Sequence, residues 1–194
     1  MLAGILRRLC QRAVPQNSEQ HFSPPKNFSD IQNQTQIDVE AWITKESDEK
    51  PTFVFWIYGA VGVGKTAFAE KISEKFAARP DKQCQKRCLA AKFYFCRSDF
   101  FRNNMSYLIP TIAYQLAVHD DLGSLFKPML DAIISEKPHI LNTNLLEQFQ
   151  ELLYRPCTYL LAHRPFPEAP RLIVLNGLDE CCNPTDIEEL LSLI

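Results

Sequence analysis

Eight consecutive residues, Gly59-Ala60-Val61-Gly62-Val63-Gly64-Lys65-Thr66, spell the pattern G-x-x-x-x-G-K-[ST], and their flanks restrict the fold. The apolar, β-prone run Phe53–Tyr58 leads in and predicts a strand. The run from Ala67 to Ile72 leads out and predicts a helix that stops near Ala78, before Pro80. A strand, a glycine-rich loop and a helix in this order form a phosphate cradle. The glycines let successive N–H groups turn toward one point, and the helix start adds partial positive charge there. Residues Gly59 to Ala67 are the candidate nucleotide-binding set, for ATP or GTP. Lys65 is placed to reach the β- and γ-phosphates, and the Thr66 hydroxyl to hold Mg²⁺. The plain structural alternative is a glycine-rich turn that happens to precede a helix, and the flanks weigh against it.

The 194 residues are enough for one domain with its own core, and 46% hydrophobic and 23% charged residues are ordinary for a soluble protein. A net charge of −2 gives no broad basic footprint for nucleic acid or a membrane surface. The small basic group Lys82, Lys86, Arg87 and Lys92 reads as a solvated loop. Seven cysteines without a secretory signal fit reduced thiols and a cytoplasmic location. Cys84 and Cys88 lack a second pair at zinc spacing, so a metal site is not expected from them. No apolar run has the length of a membrane span. Met1–Val14 is basic and amphipathic, and reads as an N-terminal helix in preference to a presequence.

Residues 1–35 therefore read as a helix and a polar linker, with the domain proper at 36–194. Within it, a short helix is predicted over Ile37–Ile43 and a second strand over Ala91–Cys96. Helices are predicted over Leu108–Val118, Leu122–Ser135 (with Pro128 as a kink) and Leu145–Tyr154. A third strand is Leu172–Leu175, whose unbroken apolar character suits a central parallel strand covered on both faces. Thr185-Asp186-Ile187-Glu188 resembles a capping box that opens a last helix. Strands separated by helices predict an α/β protein with phosphate ligands at the carboxyl ends of the strands.

A nucleotide-hydrolysing site also needs a carboxylate on a neighbouring strand end and a group that positions water. The segment Leu172-Ile-Val-Leu-Asn176-Gly177-Leu178-Asp179-Glu180 supplies the candidates: Thr66, Asn176 and Asp179 for the metal, Asp179 and Glu180 for catalysis. Asn176 stands at the strand tip where a carboxylate is expected. Its amide oxygen can ligate Mg²⁺ but carries no charge, which predicts weaker metal binding and slowed hydrolysis. A small-molecule kinase built on the same loop would need an arginine-rich lid, whereas Arg155, Arg164 and Arg171 are scattered. A Ras-like GTPase is disfavoured, because no N-K-x-D element exists and Asp120-x-x-Gly123 follows a predicted helix, not a strand. A non-hydrolysing interaction module remains an alternative.

GAVGVGKT together with NGLDEC resembles the NACHT branch of the signal-transduction NTPases, closest to the fungal members with a nephrocystin-3-like N-terminal domain. FYFCRSDFFRNN (Phe93–Asn104) and LIPTIAYQLA (Leu108–Ala117) also match in order, so the resemblance runs from about Val39 to the chain end. It implies a P-loop NTPase three-layer sandwich with a parallel sheet, and a nucleotide-controlled switch that is a homo-oligomer in full-length members. By motif, Gly59, Gly64, Lys65 and Thr66 bind nucleotide, and Asp179 and Glu180 are the acidic pair near Mg²⁺ and water. The resemblance also implies that this stretch holds only the first three core strands. The fourth, lying between the first and third, is absent, and two apolar strand edges are left without their neighbour.

Overall fold

The computed structural model describes residues 13, 30–44, 53–77, 88–163 and 172–193. The expected N-terminal helix, Cys84, the basic residues Lys82, Lys86 and Arg87, and Arg164 and Arg171 lie outside these, Ala13 apart.

Helices dominate, and they enclose one small parallel sheet. In chain order the elements are α1 (Asp30–Thr44), α2 (Lys65–Ala77), β1 (Leu89–Tyr94), α3 (Leu108–Val118) and α4 (Gly123–Glu136). There follow α5 (Leu145–Phe149), α6 (Arg155–His163), β2 (Leu172–Asn176) and α7 (Pro184–Leu193). β1 and β2 pair in parallel with Lys92 opposite Val174 and Tyr94 opposite Asn176, and the register slips between Leu89 and Ala91. Such a parallel pair with a helical crossover gives the chain its α/β character.

Two apolar clusters cover the two faces of the sheet. On one face, Val39 of α1 and Phe68, Ile72 and Phe76 of α2 gather with Leu89, and Leu172 and Val174 of β2 pack against them. On the other, Phe93 of β1 sits fully buried among residues of α3, α4 and α6, including Leu108, Ile112, Leu130, Ile134 and Leu160. The alternation of side chains along β1 sends Phe93 one way and Tyr94 the other. The Tyr94 hydroxyl meets Ser73 of α2 at 2.8 Å inside the molecule, which ties α2 to the sheet. Gln115 of α3 accepts from the Lys92 N–H at 2.9 Å and donates to the Lys92 carbonyl at 2.8 Å. The His119 ring lies 3.1 Å from the Leu89 carbonyl.

Several sequence expectations need correction. Phe53–Tyr58 forms no strand; it has no regular structure, and no backbone hydrogen bond joins it to β1 or β2 among the described residues. Its side chains are exposed, from 38% at Phe55 to 85% at Tyr58. Strand preference is a preference for a pleated, half-buried surface with neighbours on either side. Among the described residues no strand neighbours it, and a ring contact, Trp42 to Phe55 at 5.7 Å, joins the segment to α1. For the same reason β2 is no central strand: its residues are half-buried, and Ile173 is exposed.

α1 begins at Asp30, inside the stretch expected to be linker, and β1 begins two residues before the predicted start. Pro128 sits inside α4 without ending it. The helix predicted over Leu145–Tyr154 continues through a π-helical turn, Gln150–Tyr154, into α6. α7 is capped two residues earlier than expected. The capping side chain is Asn183, which accepts the Thr185 N–H at 3.2 Å, and Pro184 takes the first helical position, where its missing N–H costs nothing. The Asp120-x-x-Gly123 match is a turn between α3 and α4. A Cβ on Gly123 would lie 2.7 Å from the Ala117 carbonyl, so this glycine serves a close helix approach.

Candidate functional site

The loop is built as its glycines require. Gly62 and Gly64 have φ of +84° and +90°, in the region that L side chains avoid. A Cβ on Gly62 would meet nothing within 4 Å, so its constraint is the backbone alone. Helix α2 opens at Lys65, and its first bond runs from the Phe68 N–H to the Gly64 carbonyl at 2.9 Å. The first-turn N–H groups of α2 therefore sit directly behind the loop, the arrangement that favours an anion.

The Lys65 ammonium curls back over the loop and donates to the Gly59 carbonyl at 2.8 Å and the Ala60 carbonyl at 3.0 Å. These two bonds close the loop into a ring around the lysine head. Ala60, Val61 and Val63 stand exposed, Val61 at 96%, while Ala67 is half-buried at the start of the helix. No acid occupies the first turn of α2, so the positive end of that helix is not neutralised locally.

β2 delivers Asn176 to the same place. Its side-chain amide donates to the Thr66 hydroxyl oxygen at 3.3 Å, across 110 positions of sequence. Two of the three residues expected to hold the metal are thus in contact. The polarity of the contact matters. A carboxylate at this position would accept from the threonine hydroxyl, whereas the asparagine amide occupies a lone pair of the oxygen that a cation would use.

Asp179 and Glu180 are engaged with a different loop. They form a single 3₁₀ turn, Leu178–Glu180, after Gly177, whose φ of +73° redirects the chain. The Glu180 carboxylate accepts the backbone N–H of Arg97 at 3.0 Å, and the Arg97 guanidinium donates to the Asp179 carbonyl at 2.9 Å. The Lys65 ammonium is taken by the Gly59 and Ala60 carbonyls and the Glu180 carboxylate by Arg97, so these two charges are not paired with each other. The acidic turn is therefore bound to the loop that follows β1. Sequence reasoning missed Arg97, and the only signal in the chain was its place just past a strand end.

That loop, residues 96–104, is ordered by Asp99. Its carboxylate accepts from the Phe101 N–H at 2.9 Å and from the Arg102 side chain at 2.8 Å. Partial burial works to raise the Asp99 pKa, but the bonds from Arg102 and the backbone outweigh it and hold the group below the usual carboxylate range. A shallow depression of about 250 Å³ lined by Ala77, Leu89, Lys92, Gln115 and His119 lies at the start of β1, the wrong end of the strands for a phosphate. Among the described residues, no three His, Cys, Asp or Glu side chains gather as a metal site, and no helix is long and apolar enough to cross a membrane.

Fold and loop together define an α/β protein, largely helical, with a glycine-rich turn at the carboxyl end of a small parallel sheet. Residues 31–194 match the family model described as Nephrocystin 3, N-terminal, and the chain belongs to that family. No curated protein and no solved structure matches it.

Proposed function

We propose that this chain binds a nucleoside triphosphate, ATP in the first instance, through Gly59–Ala67, and acts as a regulatory switch of the NACHT signalling type with slow or absent hydrolysis. The observation that carries this reading is the loop itself. Two glycines at positive φ, a lysine folded over the loop carbonyls and the bare N-terminus of α2 make a complete anion cradle. Family membership and the position of the cradle at the strand ends support it, and they support a P-loop NTPase sandwich as the finer description of the fold.

Slow turnover follows from the second half of the site. Asn176 offers an N–H to Thr66, and Mg²⁺ must compete with that N–H for the hydroxyl oxygen. Glu180, the candidate for orienting water, has its carboxylate engaged by Arg97.

The test is titration of Mg-ATP and Mg-GTP into the wild type and Lys65→Ala, with turnover followed in parallel. The expected result is binding by the wild type, loss of affinity of about tenfold or more in Lys65→Ala, and little phosphate release. Transfer of phosphate to a small acceptor would replace the switch with a kinase, and equal affinity in the two proteins would remove the loop from function.

A further inference from the structure

We infer that Arg97 is a positioning residue that couples the phosphate loop to residues 96–104, making that aromatic loop the part of the molecule that responds to nucleotide. The inference rests on the nucleotide reading above, and the experiment below separates the two.

A continuous run of contacts leads from one loop to the other. Thr66 touches Asn176, and Asn176 is followed at once by Gly177. A Cβ on Gly177 would lie 3.1 Å from the Phe95 carbonyl and 3.4 Å from the Glu180 carboxylate, so the turn is pressed against the end of β1. Arg97 then grips this turn twice, through its backbone N–H to Glu180 and through its guanidinium to the Asp179 carbonyl. Asn103 adds a third tie from the other end of the same loop. Its side chain donates to the Arg97 carbonyl at 3.1 Å, and its own carbonyl accepts the Cys182 N–H at 2.8 Å.

The acidic turn and the loop after β1 are thereby one mechanical unit, hinged at a glycine next to Asn176. A phosphate–Mg²⁺ group at Thr66 must break or re-aim the Asn176 bond. The turn, and Arg97 with it, would move in consequence, because a contiguous run of packed contacts can carry coupling between two sites.

At the far side of the loop stand Phe100 and Phe101, both exposed, and stacked edge to face in series with Tyr107 at 5.5 and 5.3 Å. Their positions are set by the Asp99 bonds at the base of the same loop. A shift at Arg97 would thus reach the exposed aromatic pair of the same loop.

Hydrogen exchange read by mass spectrometry on the full chain, with and without Mg-ATP, tests this, with affinity measured by calorimetry on the same samples. In the wild type, exchange in peptides spanning 97–104 and 177–182 should change by about fivefold or more on saturation, the lower range of site-to-site coupling. In Arg97→Ala, which removes the guanidinium tie to Asp179 and keeps the backbone bond to Glu180, the nucleotide should still protect 59–70, but the response of 97–104 should be clearly reduced. Arg97→Lys, which keeps a donor for the Asp179 carbonyl, should restore part of the response. Should Arg97→Ala fail to fold, Asn103→Ala weakens the same tie and should reduce the response.

Nucleotide binding that protects 59–70 and leaves 97–104 unchanged in the wild type would overturn the coupling and leave the proposed function standing. An undiminished response in Arg97→Ala would overturn the role of Arg97. Absence of any nucleotide binding would overturn both.

Discussion

Tyr94 places a phenol between the sheet and the helix that leaves the phosphate loop. Burial pushes its pKa up to about 12, against the lowering effect of the Ser73 hydrogen bond. A raised phenol pKa means that the folded protein prefers the neutral form. The contribution is complete below pH 10, the unfolded value, and is lost as pH rises toward about 12. The span corresponds to roughly 2–3 kcal/mol, at 1.36 kcal/mol per unit. Denaturant melts of the wild type against Tyr94→Phe should therefore converge as pH climbs above 10, with the wild type the steeper of the two. At the same scale, Asn176→Asp should bind Mg-ATP more tightly and hydrolyse it faster, because a carboxylate accepts from Thr66 and leaves the metal its oxygen. Equal turnover in the two proteins would sink the account of Asn176. The loop glycines and Lys65 were legible from the pattern, because that chemistry is local. That Asn176 and Thr66 belong to one site was legible from the strand-end position of Asn176, though not the amide-to-hydroxyl bond that joins them. Arg97 was not, because its bonds to Asp179 and Glu180 depend on how two strand ends meet.

At the level of elements, periodicity located most helices and missed how they end and join. α3 runs over the predicted residues because its apolar positions face one core. The π-helical turn at Gln150–Tyr154 has no periodic signature. It brings Glu151 into contact with Lys137 at 2.8 Å and Arg155 at 3.1 Å. The bond from Lys137 is the main reason the Glu151 carboxyl stays below its usual pKa, with opposing burial the next effect. The sign for a lowered carboxylate is stability present above pH 4.5 and lost as the solution is acidified through the folded value. Since the pair is partly solvated, Glu151→Gln should cost no more than about 1 kcal/mol at neutral pH, and the difference from the wild type should vanish in acid. Asn144 caps α5 by accepting the Glu147 N–H at 2.8 Å. Asn144→Ala should lower stability by about 1 kcal/mol, read as a shift in the thermal midpoint.

At the scale of the whole molecule, the largest departure from expectation is the apolar segment Phe53–Tyr58. Its composition read as a strand, and a strand needs a neighbour that the described residues do not provide. Six consecutive exposed apolar side chains form a patch of the kind that limits solubility. Phe53→Lys with Trp56→Lys should raise the solubility limit severalfold in light-scattering titrations while leaving the thermal midpoint nearly unchanged, since neither side chain belongs to either core cluster. A midpoint that falls sharply would show that these residues are packed in solution.

Gln115 bears on the same question from the opposite side. By taking both backbone groups of Lys92, it occupies the outer rim of β1 as a neighbouring strand would, and His119 does the same for the Leu89 carbonyl. The rim of β2 has no such guard among the described residues. Among the described residues the sheet is thus guarded at one rim only. Were two copies to join along β2, the rims turned outward would be those that Gln115 and His119 occupy, which disfavours further lateral growth into a fibre.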